Sequence, residues 1–294
     1  MDQGDRPSRQ LRHRQILPMR LTPRFLLHLL FVGLAAAITG SAQTTTHLFR
    51  AGENDSGAGN GLALAATTVD AVGSTNLSLV GTGSATYTSS TFVSGSSLAF
   101  VFTGGNSYAG AVDTSLTTSA SFAMELWFKA SSLSTTQALF YNGDTGGNGV
   151  GLFLDGSNLV GMAGGRFMAT GETTLTTGTW YHAALVSSGG TITYYLNGVS
   201  EISRSANFID PISGALSIGG NNSGDELFTG TIDQAKIFTF TSGSFNTGML
   251  SYSAVPEPST YAAILGLAAL GLAVWWRRAG RTGGKSVGPR SLRS

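Results

Sequence analysis

The sequence predicts an all-β fold, a sandwich of two antiparallel sheets. Short runs of β-branched and aromatic residues alternate with Gly-containing turns about every ten residues, and no amphipathic helix separates them. Two such runs, residues 179–186 and 191–199, are joined by Ser188-Gly189-Gly190 and predict a β-hairpin at the centre of the sandwich. The second run alternates between two faces, with Ile192, Tyr194 and Leu196 on one and Thr191, Thr193 and Tyr195 on the other. It ends in Asn197-Gly198, a strong turn signal.

The amino-terminal residues predict an export signal. A polar, basic leader, residues 1–20, precedes Arg24 and an apolar run over residues 25–38, and Met19 offers an alternative start. Small residues at Gly40 and Ala42 complete a signal peptide, residues 1–42, cleaved near Ala42. The alternative is a membrane anchor, but this run is shorter than the roughly 20 residues that a span needs.

The presumed mature domain, residues 43–250, begins with weakly patterned sequence and becomes more regular. Three pairs of residues that recur between Gly or Ser clusters predict short edge strands: Leu77/Leu79, Thr86/Tyr87 and Phe92/Val93. The clearest strand places Phe122, Met124, Leu126 and Phe128 on one face and Glu125, Trp127 and Lys129 on the other. Further strands are predicted at residues 98–102, 138–141, 150–154, 159–163, 166–169, 216–218 and 230–240.

The chain changes character after the domain. A linker, residues 251–260, contains Pro256, Glu257 and Pro258, and the apolar run 261–276 that follows carries no charge. In a helix this run covers about 24 Å, a short membrane span. The basic tail, residues 277–294, begins with Arg277 and Arg278 and is expected to remain in the cytoplasm.

Charge and cysteine content exclude several classes of function. The chain has no Cys, which excludes disulfides, thiolate metal sites and a cysteine nucleophile. Its net charge of +1 comes from the two basic ends. Residues 43–255 carry five cations against thirteen anions, a difference of −8. Nucleic acid is therefore not an expected partner.

The tail resembles a PEP-CTERM sorting signal. The resemblance rests on Pro256-Glu257-Pro258, one apolar helix and the Arg277-Arg278 cluster, in that order. It implies a Gram-negative bacterium, transient anchoring in the inner membrane, and an exosortase-type enzyme that processes the chain near the motif. The product would then reach the cell surface or the extracellular space.

The middle of the chain, about residues 46–240, resembles the laminin-G-like domains of the concanavalin A-like jelly roll. The matching segments occur in the family's order, and two are characteristic: Trp180-Tyr181-His182 and residues 228–233, Phe-Thr-Gly-Thr-Ile-Asp. The resemblance implies two antiparallel sheets and a ligand at a rim or on a concave face. It also implies a calcium ion held by loop oxygens. Loop residues that are candidates for this are Asp113, Asp144 with Asn148, Asp155, and residues 221–226 with Asp225. The alternative is that each forms a turn with its own backbone.

The residues favour binding over catalysis. Glycan hydrolysis needs two carboxylates about 5 to 9 Å apart, and no Glu-x-Asp or Glu-x-Glu pair lies within a predicted strand. His182 is expected to be a packed, hydrogen-bonded histidine, and residues 43–250 contain no Gly-x-Ser-x-Gly elbow that could partner it. Trp127 and Tyr195 lie on the faces opposite the predicted core and are candidates for stacking on sugar rings. The alternative is that they pack beneath a covering loop.

Three functions remain open. The first is an exported, non-enzymatic β-sandwich that binds an extracellular polysaccharide or a surface protein. The second is a structural matrix component without a specific ligand. The third is a polysaccharide hydrolase or lyase with an unrecognised site.

Overall fold

The computed structural model describes residues 43–143, 148–164, 166–205, 212–221, 224–252 and 270–272, with the backbone alone for 166–169. Apart from helical residues 270–272, these residues form sixteen β-strands and one short 3₁₀ helix, Thr247–Met249. The predicted all-β fold is therefore confirmed. The strands are β1 (Gln43–Phe49), β2 (Thr67–Thr68), β3 (Leu77–Gly81), β4 (Thr86–Thr88), β5 (Ala99–Thr103), β6 (Asn106–Ala109), β7 (Phe122–Ala130), β8 (Gln137–Gly143), β9 (Gly149–Asp155), β10 (Asn158–Ala163), β11 (Arg166–Thr174), β12 (Trp180–Ser188), β13 (Thr191–Leu196), β14 (Val199–Ser205), β15 (Ala215–Ile218) and β16 (Thr229–Phe240).

The strands pair into two antiparallel sheets. Sheet 1 has the order β14-β13-β12-β7-β16-β5-β4, and β1 pairs with the second half of β16 on the same side as β5. Sheet 2 has the order β11-β10-β9-β8-β15-β6-β3-β2. Half of the fourteen strand pairs in the described residues join strands that are consecutive in sequence, and the other half join distant strands and so connect these hairpins into sheets.

The predicted hairpin is present as β12 and β13, but it lies toward one edge of sheet 1. Gly189 and Gly190 both have positive φ at its turn, and the strands pair from Ser188 and Thr191 outward. Asn197 and Gly198 also have positive φ, 50° and 76°, as a two-residue hairpin turn requires. This second turn leads into β14, a polar strand that the sequence analysis did not predict. Because β16, β5 and β4 extend the sheet on the other side of β7, the centre of the sheet is formed by β7 and β16.

The core lies between the two sheets. Every second residue of β7 is buried in it, and Tyr194 on β13 is fully buried against sheet 2. Gly161 on β10 makes room for that ring, because a Cβ atom there would lie 1.7 Å from Tyr194 Cζ. The inward face of the hairpin is thus fixed by a glycine on the opposite sheet.

One of the three predictions of a short edge strand is wrong. Leu77 and Thr86 begin β3 and β4 as predicted, whereas Phe92 and Val93 lie in a loop. The backbone N–H groups of Phe92 and Val93 donate to a carboxylate, Asp233 on β16, instead of to a neighbouring strand. A local pattern of apolar residues cannot reveal such a partner.

A C-terminal segment, residues 241–252, covers part of the outer face of sheet 1. Met249 and Leu250 are buried there against residues of β7, β12 and β16, and Phe245 packs beside them. Ser251 and Tyr252, the first residues of the predicted linker, also contact the sheet. In the described parts of the chain, no helix has the length and apolarity to cross a membrane. The signal peptide, and the predicted span 261–276 apart from 270–272, lie outside them.

Candidate functional site

The outer face of sheet 1 carries a row of aromatic side chains. Strand pairing places Trp127 of β7 beside His182 of β12 on one side and Asp233 of β16 on the other. Trp127 points away from the core because its neighbours Leu126 and Phe128 point into it. The sequence analysis predicted this orientation for Trp127.

Four rings lie in contact along this face, and we call them the aromatic row: Trp180, Phe92, Trp127 and Tyr252. The ring centroids of Phe92 and Trp127 are 4.5 Å apart, and those of Phe92 and Trp180 are 5.9 Å apart. Tyr252 of the C-terminal segment continues the row, with its centroid 5.7 Å from that of Trp127. These distances are typical of favourable aromatic pairs.

Trp127 forms the base of the row, and Phe92 forms its exposed surface. Trp127 is 7% exposed, whereas Phe92 is 52% exposed. Lys129 Nζ lies 4.9 Å from the ring centroid of Trp180. The row therefore combines an exposed aromatic face with a cation at one end.

Two carboxylates hold the loop that carries Phe92. Asp233 Oδ2 accepts hydrogen bonds from the backbone N–H groups of Phe92 and Val93, at 2.9 and 3.0 Å. Glu53 Oε1 accepts from the backbone N–H groups of Ser97, at 2.6 Å, and Leu98, at 3.1 Å. Both ends of the loop are thus fixed to the sandwich, so Phe92 is presented from a restrained backbone.

The two carboxylates meet at the hydroxyl of Ser96. Ser96 Oγ lies 2.7 Å from Asp233 Oδ1, 3.0 Å from Glu53 Oε1 and 3.0 Å from the carbonyl oxygen of Leu98. One hydroxyl proton cannot serve three acceptors. In addition, Glu53 Oε2 is buried without a hydrogen-bond partner. Burial, with a contribution from the charge of Glu53, raises the pKa of Asp233.

A second buried network lies beside Trp127. Glu125 Oε2 is 3.1 Å from His182 Nε2 and accepts the backbone N–H of Ser251 at 2.9 Å, and Lys236 forms an ion pair with the same carboxylate. Burial opposes ionisation of Glu125, but His182 and Lys236 outweigh it and lower its pKa to about 2. His182 is fully buried, so it packs in this network as the sequence analysis expected. The network ties the C-terminal segment to the sheet.

Tyr195 does not belong to the aromatic row. It lies on the outer face of sheet 1, as predicted, but its ring packs against Phe245 with the centroids 5.6 Å apart. Burial beneath the C-terminal segment raises its pKa. Tyr195 is therefore less available for stacking than Phe92, which the sequence analysis assigned to a strand.

The residues predicted as calcium ligands are dispersed. Asp113 contacts His47 and Ser115, Asp155 is exposed and accepts from Thr136, and Asp225 is exposed in the loop after β15. Asp144 lies outside the described residues. Among the residues that the structure describes, no three His, Cys, Asp or Glu side chains converge in a way that could hold a metal ion.

His47 bridges two acidic side chains elsewhere in the domain. Its Nδ1 lies 2.6 Å from Asp70 Oδ2, and its Nε2 lies 3.2 Å from Asp113 Oδ2. Burial opposes protonation of the imidazole, but the hydrogen bonds with Asp113 and Asp70 outweigh it and raise the pKa of His47. The arrangement joins β1 to the loops that follow β2 and β6.

Comparisons with known proteins identify the fold. Residues 103–242 match the family model of the concanavalin A-like lectin/glucanases superfamily. Over this range the described sandwich has a concanavalin A-like fold. Residues 254–278 match the PEP-CTERM protein-sorting motif, which implies processing by an exosortase-type system and sorting to the cell envelope. The motif residues themselves, Pro256, Glu257, Pro258, Arg277 and Arg278, lie outside the described residues.

Solved structures share this concanavalin A-like fold at low sequence identity. Domain 4 of the extracellular arabinanase AbnA from Geobacillus stearothermophilus, in complex with arabinotriose, is 22% identical at a TM-score of 0.52; the match covers 71% of this chain and 98% of that one. The binding domain of botulinum neurotoxin serotype D is 13% identical at a TM-score of 0.52, covering 73% of this chain and 53% of that one. The chain thus spans about half of the neurotoxin domain. Among curated protein sequences, none matches this chain.

Proposed function

We propose that this protein is an exported, non-catalytic concanavalin A-like domain that binds carbohydrate through the aromatic row. The observation that carries this is the exposure of Phe92 beside Trp180, on a loop whose backbone N–H groups are held by the carboxylates of Asp233 and Glu53. Aromatic rings stack on the apolar faces of sugars, and a restrained loop loses little conformational entropy on binding. Lys129 over Trp180 supplies a polar contact at the end of the row.

The solved arabinanase domain, which covers 71% of this chain, supplies a first ligand to try, since its structure contains arabinotriose. The neurotoxin domains are receptor-binding domains, so a surface protein is the alternative ligand. A structural role without a specific ligand is the second alternative.

The environment of the two carboxylates that meet at Ser96, those of Asp233 and Glu53, also supports a binding role. Glycoside hydrolysis requires two carboxylates that flank the scissile bond in a site open to substrate. Asp233 and Glu53 meet at Ser96, but Asp233 is fully buried and accepts from the loop backbone. Within the described residues, neither His47 nor His182 is hydrogen-bonded to a serine, which a serine nucleophile would need.

Binding is tested by calorimetric titration with arabinotriose and a panel of neutral and acidic oligosaccharides. Phe92→Ala and Trp180→Ala are each expected to weaken binding roughly tenfold, the loss of about one good ring contact. Val72→Ala is the matched control, because Val72 is also 52% exposed but lies away from the row. Equal affinity in all three variants would contradict the assignment, and turnover of any oligosaccharide would contradict the non-catalytic role.

We further propose that the oxygen atoms around Ser96 hold the calcium ion implied by the resemblance. The donors are Glu53, Asp233, Ser96 Oγ and the Leu98 carbonyl, an all-oxygen set of the kind that Ca²⁺ prefers. A cation there would account for the unpaired Glu53 Oε2 and for three acceptors meeting at one hydroxyl. Its chemical contribution would be charge neutralisation that fixes the loop bearing Phe92.

The calcium assignment is tested by the melting temperature of the protein with EDTA and with excess CaCl₂. Calcium is expected to raise the melting temperature, since a ligand that binds the folded state alone stabilises it by mass action. Glu53→Gln should remove this rise. Asp155→Asn and Asp225→Asn, at carboxylates predicted from sequence, should keep it. The assignment would be overturned if calcium does not raise the melting temperature of the wild-type protein. It would also be overturned if the rise is lost in Asp155→Asn or Asp225→Asn but kept in Glu53→Gln.

We propose, finally, that residues 261–276 anchor the chain transiently in the inner membrane of a Gram-negative bacterium before release to the surface. The sorting motif begins two residues after Tyr252, the last residue of the described domain. Fractionation of cells that contain or lack an exosortase tests this. The chain should accumulate in the membrane fraction only when the enzyme is absent, and equal release from both strains would contradict it.

A further inference from the structure

A depression lies on the opposite side of the sandwich, on the outer face of sheet 2. Its volume is about 440 Å³, within the range of about 300 to 1,000 Å³ that small-molecule sites occupy. It lies between β3, β6 and the loop that precedes β16. The described residues that line it are Val80, Gly81, Thr82, Gly105, Ser107, Gly224 and Leu227.

Ser107 gives this depression an unsatisfied polar group. The residue is fully buried, lines the depression, and points away from the core because the next residue, Tyr108, points into it. Its Oγ has no hydrogen-bond partner among the described residues. A buried hydroxyl without a partner costs about 1 to 3 kcal/mol, and native structures leave few of them. The hydroxyl of a bound ligand would remove that cost.

Glycines keep the depression open. A Cβ atom on Gly220 would lie 2.8 Å from Ser107 Cβ and 2.7 Å from Leu227 Cδ2, so any side chain there would press on the wall beside Ser107. Gly81 has a φ of 93°, and a Cβ atom there would lie 2.2 Å from the carbonyl oxygen of Gly105. Both positions therefore need glycine for this geometry.

The lining also defines the chemical class of the ligand. None of the described lining residues is charged, so an ionic ligand would find no partner for its charge. Val80 and Leu227 supply apolar surface, while Thr82 and Ser107 supply hydroxyl groups. A mixture of C–H surface and hydroxyl groups matches a neutral sugar.

We propose that this depression is a second binding site, for one neutral sugar residue at the end of a glycan chain, with Ser107 Oγ as its buried polar contact. It is separate from the aromatic row, which lies on the other sheet, and does not depend on it. Together with glycan binding by the aromatic row, on which this consequence rests, a site on each outer face would let the domain bridge two glycan chains and cross-link an extracellular polysaccharide.

The decisive variant is Ser107→Ala, because the hydroxyl that it removes has no protein partner. It should leave the melting temperature unchanged or higher while abolishing the second site. Ser217→Ala is the matched control: Ser217 is also fully buried on sheet 2, but its Oγ donates to the Tyr141 carbonyl. This control should lose a little stability and keep the site.

The measurement is calorimetric titration of the full chain with arabinose, glucose, galactose and mannose and with their oligosaccharides. At least one sugar should bind wild type and Trp180→Ala, and its affinity should fall at least tenfold in Ser107→Ala. The second site is overturned if the binding of every sugar tested is independent of Ser107, whatever the effect of Trp180→Ala. A lower melting temperature in Ser107→Ala would also overturn it, since Ser107 would then have a structural role.

Discussion

Asp233 Oδ2 accepts the backbone N–H of Phe92 at 2.9 Å, across 141 residues of sequence. The fully buried carboxylate thus fixes the most exposed ring of the aromatic row. Phe92 supplies the contact surface, and Asp233 supplies its position. Mutations can separate these two contributions, because Phe92 is exposed to solvent whereas Asp233 is buried.

Asp233→Ala is therefore expected to lose both stability and glycan affinity. It leaves the N–H groups of Phe92 and Val93 without an acceptor, at a cost of about 1 to 3 kcal/mol. Urea denaturation measures that cost, and calorimetry with the best oligosaccharide measures affinity. Phe92→Ala is the comparison and should lose affinity alone. Full affinity in Asp233→Ala would show that the loop does not need this anchor.

The pH dependence of stability should report on His47. The folded-state pKa of His47 is raised above 6.5, so its stabilising contribution is fully present below pH 6.5 and is lost as the pH rises through the folded-state value. The free energy of unfolding should therefore fall on the alkaline side of pH 6.5. His47→Gln should flatten this part of the profile, whereas the same slope in both proteins would assign it to another group.

The carboxylates on either side of His47 act on the acid side of the profile. Burial opposes ionisation of Asp70 and Asp113, but the backbone N–H of Leu48 on Asp70 and the imidazole of His47 on Asp113 outweigh it, and both pKa values are lowered. Their contribution is present above the unfolded-state pKa near 3.8 and is lost as the pH falls through the folded-state values. Asp70→Asn should reduce the loss of stability in acid, as followed by urea denaturation below pH 4.

Glu125→Gln should destabilise the domain strongly, although it preserves side-chain size. It leaves Lys236, whose side chain is only 14% exposed, without its charged partner, and breaking a buried pair in this way costs about 3 kcal/mol. Because the folded-state pKa of Glu125 is about 2, its contribution is present above pH 4.5 and is lost as the pH falls toward 2. The mutant should lack that acid slope. Glu172→Gln, at an exposed carboxylate, is the control and should be nearly neutral.

The sequence predicts the features that depend on neighbouring residues, but not the contacts between residues that are distant in the chain. The hairpin and the Asn197-Gly198 turn follow from neighbouring residues, so they were found with nearly correct bounds. The anchor of Phe92 lies 141 residues away, and Ser251 lies 126 residues from Glu125. No spacing rule connects such pairs. The sequence places Trp127 on the correct face, but it assigns the exposed residue beside it, Phe92, to a strand.

Those distant contacts did leave one signal in the sequence. Asp233 is the only carboxylate in the predicted strand over residues 230–240, which also contains Ile232, Ile237 and Phe238. A carboxylate at such a position needs hydrogen-bond donors from elsewhere in the chain. That reasoning would have indicated an anchored loop, although not which loop.

Gly161→Ala tests how closely the two sheets pack. A Cβ atom at residue 161 would lie 1.7 Å from Tyr194 Cζ, and the ring is fully buried and cannot move aside. Overpacking of this kind costs about 1 to 3 kcal/mol, so the urea midpoint should fall clearly. Gly59→Ala is the control, because its Cβ atom would meet only the exposed side chain of Leu62 at 3.1 Å.

A second variant separates the steric effect from a general effect of losing glycine. Tyr194→Leu replaces the ring that the new methyl group meets by a shorter side chain. Gly161→Ala should therefore cost less stability in that background than in the wild-type protein. The difference between the two costs is the coupling energy of the pair, and contacting residues typically show about 0.5 to 3 kcal/mol. Strict additivity would mean that the cost of the methyl group does not come from its contact with the Tyr194 ring.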